Sequence, residues 1–153
     1  MKKRTVSLLL VMILTFLTAG LVSAAIPGYT KPAKEIKIFI NGVEQKLTLP
    51  IYAYQGRNYY PFRELCEKVG ATVTYNEEMK AAEATLNGNT ISFPVNKDYY
   101  SLNGVKMSMD GKRVGDPDTQ RIYIPIRYAM EAFGFDVKWL TGYSYNIIRI
   151  ANP

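Results

Sequence analysis

The stretch R-N-Y-Y-P-F-R-E-L-C-E-K-V-G-A-T-V-T-Y, from Arg57 to Tyr75, decides the fold, because the chain spells it again from Arg121 to Trp139. The copies lie 64 positions apart (57 to 121). Arg57 recurs as Arg121, Tyr59 as Tyr123, Pro61 as Pro125 and Arg63 as Arg127. Glu67, Gly70 and Val73 recur as Glu131, Gly134 and Val137, and Tyr75 becomes Trp139. Proline suits the first helical position, where its missing N–H is not needed and its fixed φ helps. Phe62, Leu65, Cys66 and Val69 follow at helical spacing and form one apolar face, as do Ile126, Ala129, Met130 and Phe133. Gly70 and Gly134 then supply the left-handed residue that stops a helix without strain. The repeated unit is therefore a short strand, a proline-started helix, a glycine stop and a second strand.

Strand signals surround both copies. Ile36, Ile38 and Ile40 alternate along one face, and Asn41-Gly42 offers the two positive-φ positions of a type I′ hairpin. The return strand runs from Val43 to Leu49, until Pro50 ends the pairing. Ile51–Tyr54 and Asn58–Tyr60 bracket a second turn at Gln55-Gly56. Ala82–Leu86 and Asn146–Ile150 follow the copies at the same offset, and Asn87-Gly88-Asn89 turns the chain into Thr90–Val95. Asn103-Gly104-Val105 echoes Asn41-Gly42-Val43, so the repeat includes a leading hairpin. Asp110–Thr119, with Gly111, Gly115 and Pro117, reads as an exposed loop. The expectation is an α+β fold with two pseudo-repeats, about 36–95 and 96–150. Each packs a short helix on mainly antiparallel strands, and together they form one domain. A lone copy of about 60 residues buries too little to stand by itself, so the copies should share a core.

Met1–Ala25 has the parts of a secretory signal. Lys2, Lys3 and Arg4 precede an apolar core from Val6 to Leu17, and Val22-Ser23-Ala24-Ala25 supplies small residues for cleavage. The other reading is an uncleaved anchor, since about 20 apolar residues can span a bilayer. Ile26 to Lys34, with Pro27, Gly28 and Pro32, reads as part of a linker over 26–35. The formal charge of +6 falls to +3 once Lys2, Lys3 and Arg4 are set aside. That suits weak attraction to an anionic wall or membrane surface and falls short of a nucleic-acid footprint. There is no histidine, which excludes imidazole metal sites, Ser-His-acid triads and histidine bases. The single cysteine, Cys66, allows neither an intrachain disulfide nor a cysteine-rich metal site.

The combination of Asn-Gly, Arg-x-Tyr-x-Pro-x-Arg, a short helix, Gly and a strand ending in Tyr or Trp resembles one known family. It is similar to the copper amine oxidase N-terminal-like domain, or stalk domain, of secreted proteins of Gram-positive bacteria. The resemblance runs from about Ile36 to Ile150. It implies a helix packed on antiparallel sheet, an accessory stalk role and no catalytic residues. No copper site is implied here, in keeping with the absence of histidine.

Arg63 and Arg127, in the first helical turns, are candidate anion clamps; the structural alternative is that their guanidinium donors tie a preceding strand or loop to the helix. Cys66 aligns with apolar Met130 and reads as a small buried hydrophobe. Twelve tyrosines are present, many in pairs such as Tyr59/Tyr60 and Tyr99/Tyr100. Neighbours on a strand point to opposite faces, so one of each pair is expected toward solvent, offering a stacking platform for sugar rings. Asp110, Asp116 and Asp118 do not match an EF-hand spacing and read as a solvated turn. No cofactor or metal is expected. The leading reading is a non-catalytic, secreted or wall-associated binding or structural module with weak affinity for cell-wall polysaccharide. The expected ligand contacts are Tyr59, Tyr60, Tyr99, Tyr100, Arg63 and Arg127. The alternative is a protein-interaction module that docks another secreted protein through edge strands or the Asp110–Thr119 loop. A hydrolase using Glu64, Glu67 and Glu131 ranks last. Intact-mass measurement of the secreted protein should give a chain starting at Ala25 or Ile26; a mass that retains Met1–Ala25 would establish an anchor instead.

Overall fold

The computed structural model describes residues 26, 28–94, 97–111, 113–116 and 120–153. The expected secretory signal, Met1–Ala25, lies outside the described residues, as does Asp118. In chain order the elements are β1 (Glu35–Ile40), β2 (Val43–Gln45), β3 (Tyr52–Tyr54), β4 (Arg57–Pro61), α1 (Phe62–Lys68), β5 (Thr72–Asn76), β6 (Ala81–Leu86) and β7 (Asn89–Pro94). There follow β8 (Tyr99–Leu102), β9 (Val105–Ser108), β10 (Val114–Asp116), β11 (Arg121–Pro125), α2 (Ile126–Ala132), β12 (Asp136–Thr141) and β13 (Tyr145–Ala151). Two short helices and mostly antiparallel sheet make this an α+β fold.

The central sheet has the order β10-β11-β4-β3. Its middle pair is antiparallel, with Tyr60 opposite Ile124, and with Tyr59 and Pro61 opposite Pro125 and Tyr123. Tyr60 and Ile124 are themselves 64 apart, so exchanging the two strands maps this register onto itself. Each strand runs directly into a helix at its proline. Pro61 (φ −55°, ψ 126°) and Pro125 (φ −62°, ψ 120°) are extended and stand one position before the helix, where the sequence placed them inside it. The fixed φ serves both states, so proline makes the corner between strand and helix.

Both helices end alike. The amides of Gly70 and Ala71 bond to the carbonyls of Glu67 and Cys66, and those of Gly134 and Phe135 bond to Glu131 and Met130. Gly70 (φ 87°) and Gly134 (φ 91°) occupy the left-handed region this closure needs.

The two outer sheets are β5-β6-β7-β8-β9 and β12-β13-β1-β2. Each begins with the strand pair that follows a helix, and each ends with an Asn-Gly hairpin. The assignment of the hairpins is crossed. Hairpin β1–β2 precedes α1 yet joins β13, to which β1 runs parallel, with Glu35 opposite Tyr145. Hairpin β8–β9 precedes α2 yet joins the β5–β6 sheet, with β7 interposed. The turn asparagines fix these junctions: the Asn41 amide bonds to the Ile150 carbonyl and Asn103 to that of Thr90, both at 2.8 Å. Their side-chain oxygens accept from the amides of Asn152 and Thr90.

The main core gathers the inward faces of both helices and all three sheets, including Ile38, Tyr60, Leu65, Ile91, Ile124 and Met130. The helix faces Phe62, Leu65 and Cys66 and Ile126, Ala129 and Met130 thus lie in one common cluster. The opposite face of the central sheet carries a second cluster of Tyr52, Tyr59 and Tyr123, covered by Ile26 and Tyr29. Tyr29 stacks on Tyr54 with centroids 4.5 Å apart and meets Tyr59 edge-on. Thr30 and Ala53 exchange backbone hydrogen bonds. The stretch expected as a linker thus begins as a docked cover, because the exposed tyrosine face of a sheet otherwise leaves aromatic area in water. Two other expectations are adjusted. The return strand after Asn41-Gly42 stops at Gln45, and Val114–Asp116, expected within a loop, pairs with β11.

Two glycine substitutions separate conformation from space. At Gly134 an added Cβ meets nothing within 4 Å, so Gly134→Ala should cost about 1 kcal/mol through backbone strain alone. At Gly111 the Cβ would stand 2.7 Å from the Tyr59 hydroxyl, so Gly111→Ala should cost more by displacing a fully buried ring. Urea unfolding checks both; equal losses would refute the distinction.

Candidate functional site

The repeated stretches build two surface clefts of matching design. The first, about 870 Å³, lies between α1 and β5 and is flanked by Arg121 and Ile122 of β11. The second, about 730 Å³, lies between α2 and β12 and is flanked by Arg57 and Asn58 of β4. Pro61, Arg63, Glu67 and Val73 line the first as Pro125, Arg127, Glu131 and Val137 line the second. Tyr75 and Trp139 stand at equivalent places, each 41% exposed. The leading arginine of each stretch lines the cleft of the other stretch, because β4 and β11 lie side by side.

Arg63 and Arg127 perform the same structural task. Nη1 of Arg127 donates to Glu131 Oε1 and to the Val137 carbonyl, both at 2.9 Å. Nη1 of Arg63 donates to Glu67 Oε1 at 3.3 Å and to the Val73 carbonyl at 3.4 Å. The strand secured is the one after the helix, whereas the sequence suggested the one before it. The ion pairs are half exposed and contribute a few tenths of a kcal/mol each. Nη2 and Nε of both arginines carry no hydrogen bond among the described residues, so each guanidinium retains donors toward its cleft.

Charge distinguishes the clefts. In the second, Arg57 Nη2 is bound to Asp110 Oδ2 at 2.6 Å, and Lys138 pairs with Asp136 at 3.2 Å. In the first, Arg121 is exposed and has no ion-pair partner among the described residues. Close to Tyr75 lies Arg113, only 9% exposed. Burial pushes its guanidinium pKa down and the nearby Tyr75 phenol pushes it up, with burial prevailing. Glu64 accepts hydrogen bonds from the Thr48 hydroxyl at 2.8 Å and amide at 3.3 Å, and lies 3.7 Å from Lys68. Burial pushes its carboxyl pKa up, but the Tyr60 and Thr48 donors and Lys68 outweigh that and hold it below the ordinary value. The Tyr60 hydroxyl faces this carboxylate without closing a bond of ordinary length and angle.

The tyrosines expected as a platform divide. Tyr59 and Tyr60 are both fully buried, because β4 is a middle strand covered on both faces. Tyr100 is buried and stacks on Phe93. Tyr99 is half-buried beneath Lys106, whose Nζ sits 4.3 Å from the ring centre. Of the six expected contacts, Arg63 and Arg127 line the clefts and the four tyrosines do not. The surface aromatics that line the clefts are Tyr75 and Trp139, whose signal in the sequence is an aromatic kept at one place in both copies. Cys66 is buried and free, and burial, with Glu67 secondary, pushes its thiol pKa well up. Glu64, Glu67 and Glu131, the hydrolase candidates, are each held by a cation or hydroxyl. Asp110 is tied to Arg57 and Asp116 is buried in β10, and among the described residues no three metal-ligating side chains converge.

Residues 39–147, most of the chain, match the family model described as copper amine oxidase N-terminal domain. The chain belongs to that family, whose domain is a non-catalytic stalk-type module. No curated protein and no solved structure matches it.

Glu64 gives a pH signature. A carboxyl held below its ordinary pKa contributes stability that is present above its unfolded value of about 4.3 and lost as pH falls through the folded value. The Tm difference between the protein and Glu64→Gln should therefore shrink on going from about pH 6 to pH 3. A constant difference would show that the carboxylate charge contributes nothing.

Proposed function

We propose that the chain is a non-catalytic, secreted or wall-associated module that binds cell-wall polysaccharide weakly through its two matching clefts. The observation that carries this reading is the recurrence, at both clefts, of an exposed aromatic ring beside a guanidinium with unused donors. A ring face stacks on the apolar face of a sugar, and an arginine fork bonds its hydroxyls or acid groups. Two weak sites on one rigid domain gain from effective concentration on a polymer, so modest affinity at each suffices. Each candidate catalytic carboxylate is bound as a structural acceptor, which supports a gripping role over a hydrolytic one.

The same reading takes the domain as two equivalent halves, about 36–95 and 96–150, each lending its leading hairpin to the sheet of the other. The recurring helix ends, arginine bonds and self-mapping β4–β11 register support it. Export by way of Met1–Ala25 and a place at the cell surface complete the proposal.

The second reading is docking of another secreted protein. It is favoured by β9, an edge strand whose residues Val105–Ser108 are all exposed and open to strand addition. Co-sedimentation of the mature protein with isolated cell walls tests the first reading. Retention at low salt that weakens as salt rises is expected; failure to sediment at low salt removes wall binding.

A further inference from the structure

The clefts match in shape and differ in charge, and that difference names a ligand class. We propose that the cleft between α1 and β5 takes a carboxylate-bearing sugar residue, with the pyranose against Tyr75 and the carboxylate on Arg121. The proposal rests on the glycan-binding reading above and deepens it.

Two arginines hold the same place in the repeated stretch and differ in state. Arg57 is neutralised by Asp110 at 2.6 Å and spends a further donor on the Gln55 carbonyl. Arg121 has no carboxylate partner among the described residues and is exposed at the cleft wall. The acids that line this cleft are already engaged, Glu67 by Arg63 and Glu64 by Thr48 and Lys68. Arg113 adds a second positive charge close to Tyr75, and its buried Nε makes no hydrogen bond among the described residues. An exposed guanidinium without a carboxylate partner among the described residues, in one cleft with a half-exposed ring, is a fork for a planar acid beside a stacking surface. A carboxylate on a pyranose presents both features together, while an open-chain polyol phosphate offers no ring to stack. The second cleft, with its arginine and lysine paired to aspartates, lacks this preference.

The test uses the mature protein, a galacturonic acid trisaccharide and its methyl ester, which keeps the sugar and removes the charge. Calorimetric titration should show the acid form bound at least about tenfold more tightly than the ester, a difference of about 1.4 kcal/mol. Arg121→Gln should abolish that preference, and so should raised salt. Trp139, the one tryptophan of the chain, lies in the other cleft and serves as an internal marker. Its fluorescence should not change as the acid binds. A muramic-acid disaccharide run alongside separates the two sources of the carboxylate, uronate polymer or wall glycan; binding of either, lost in Arg121→Gln, supports the proposal.

Equal affinity for acid and ester overturns it. So does quenching of Trp139, which would move the site to the second cleft, and so does equally tight binding of an N-acetylated triglutamate, which would favour a protein partner. Wall retention without acid-sugar binding refutes this inference alone. Acid-sugar binding without wall retention upholds it and refutes the wall. Tyr75→Ala, at an exposed position, provides a second variant that should weaken acid and ester together.

Discussion

The pairing of β4 with β11 is the constraint on which the rest depends. These strands are covered on both faces, and each turns at a proline straight into a helix. Their pairing fixes where both helices start, and hence where both clefts open. Tyr60 and Ile124 press into the main core while Tyr59 and Tyr123 fill the tyrosine cluster behind. A shift of one residue would exchange these faces, placing prolines and hydroxyls where apolar area must pack. Register is thereby specified from both sides.

The fold was legible where local chemistry was redundant. Two spellings of one amphipathic helix, each with a proline before it and a glycine after it, left little choice of element. The Asn-Gly pairs marked hairpins for the same reason, since both residues must accept positive φ. The crossed placement of the hairpins was not legible. Nothing local in Ile36–Ile40 tells it to pair with Tyr145–Ala151, because a strand with one apolar face suits any sheet of like pattern. The docking of Ile26 and Tyr29 was equally hidden, as Pro27 and Gly28 gave the stretch the composition of a tether.

The site was legible only in part. Arg63 and Arg127 were singled out, and both line clefts, yet the bonds that occupy them run to strands ten residues on. Tyr59 and Tyr60 were misplaced because alternation fixes opposite faces without saying that both are covered. Tyr75 and Trp139 were read only as strand ends, because an aromatic recurring at a strand position reads equally well as core. The different states of Arg57 and Arg121 depend on Asp110, 53 residues from one of them and outside the repeated stretches. Repetition in sequence therefore announced the likeness of the clefts and concealed their difference.

The crossed hairpins also impose a timetable. β1 completes its sheet only when β13 arrives, since Glu35 pairs with Tyr145 across 110 positions. Until then β1–β2 is an isolated hairpin, which water barely tolerates as a structure, and the sheet behind α1 waits in turn for β8. A sheet closed across so long a separation forms late and slowly, because the loop entropy is lost before the contact rewards it. It also ties opening to both ends of the chain: releasing β1–β2 removes one of the two partners of β13 and leaves it paired with β12 alone.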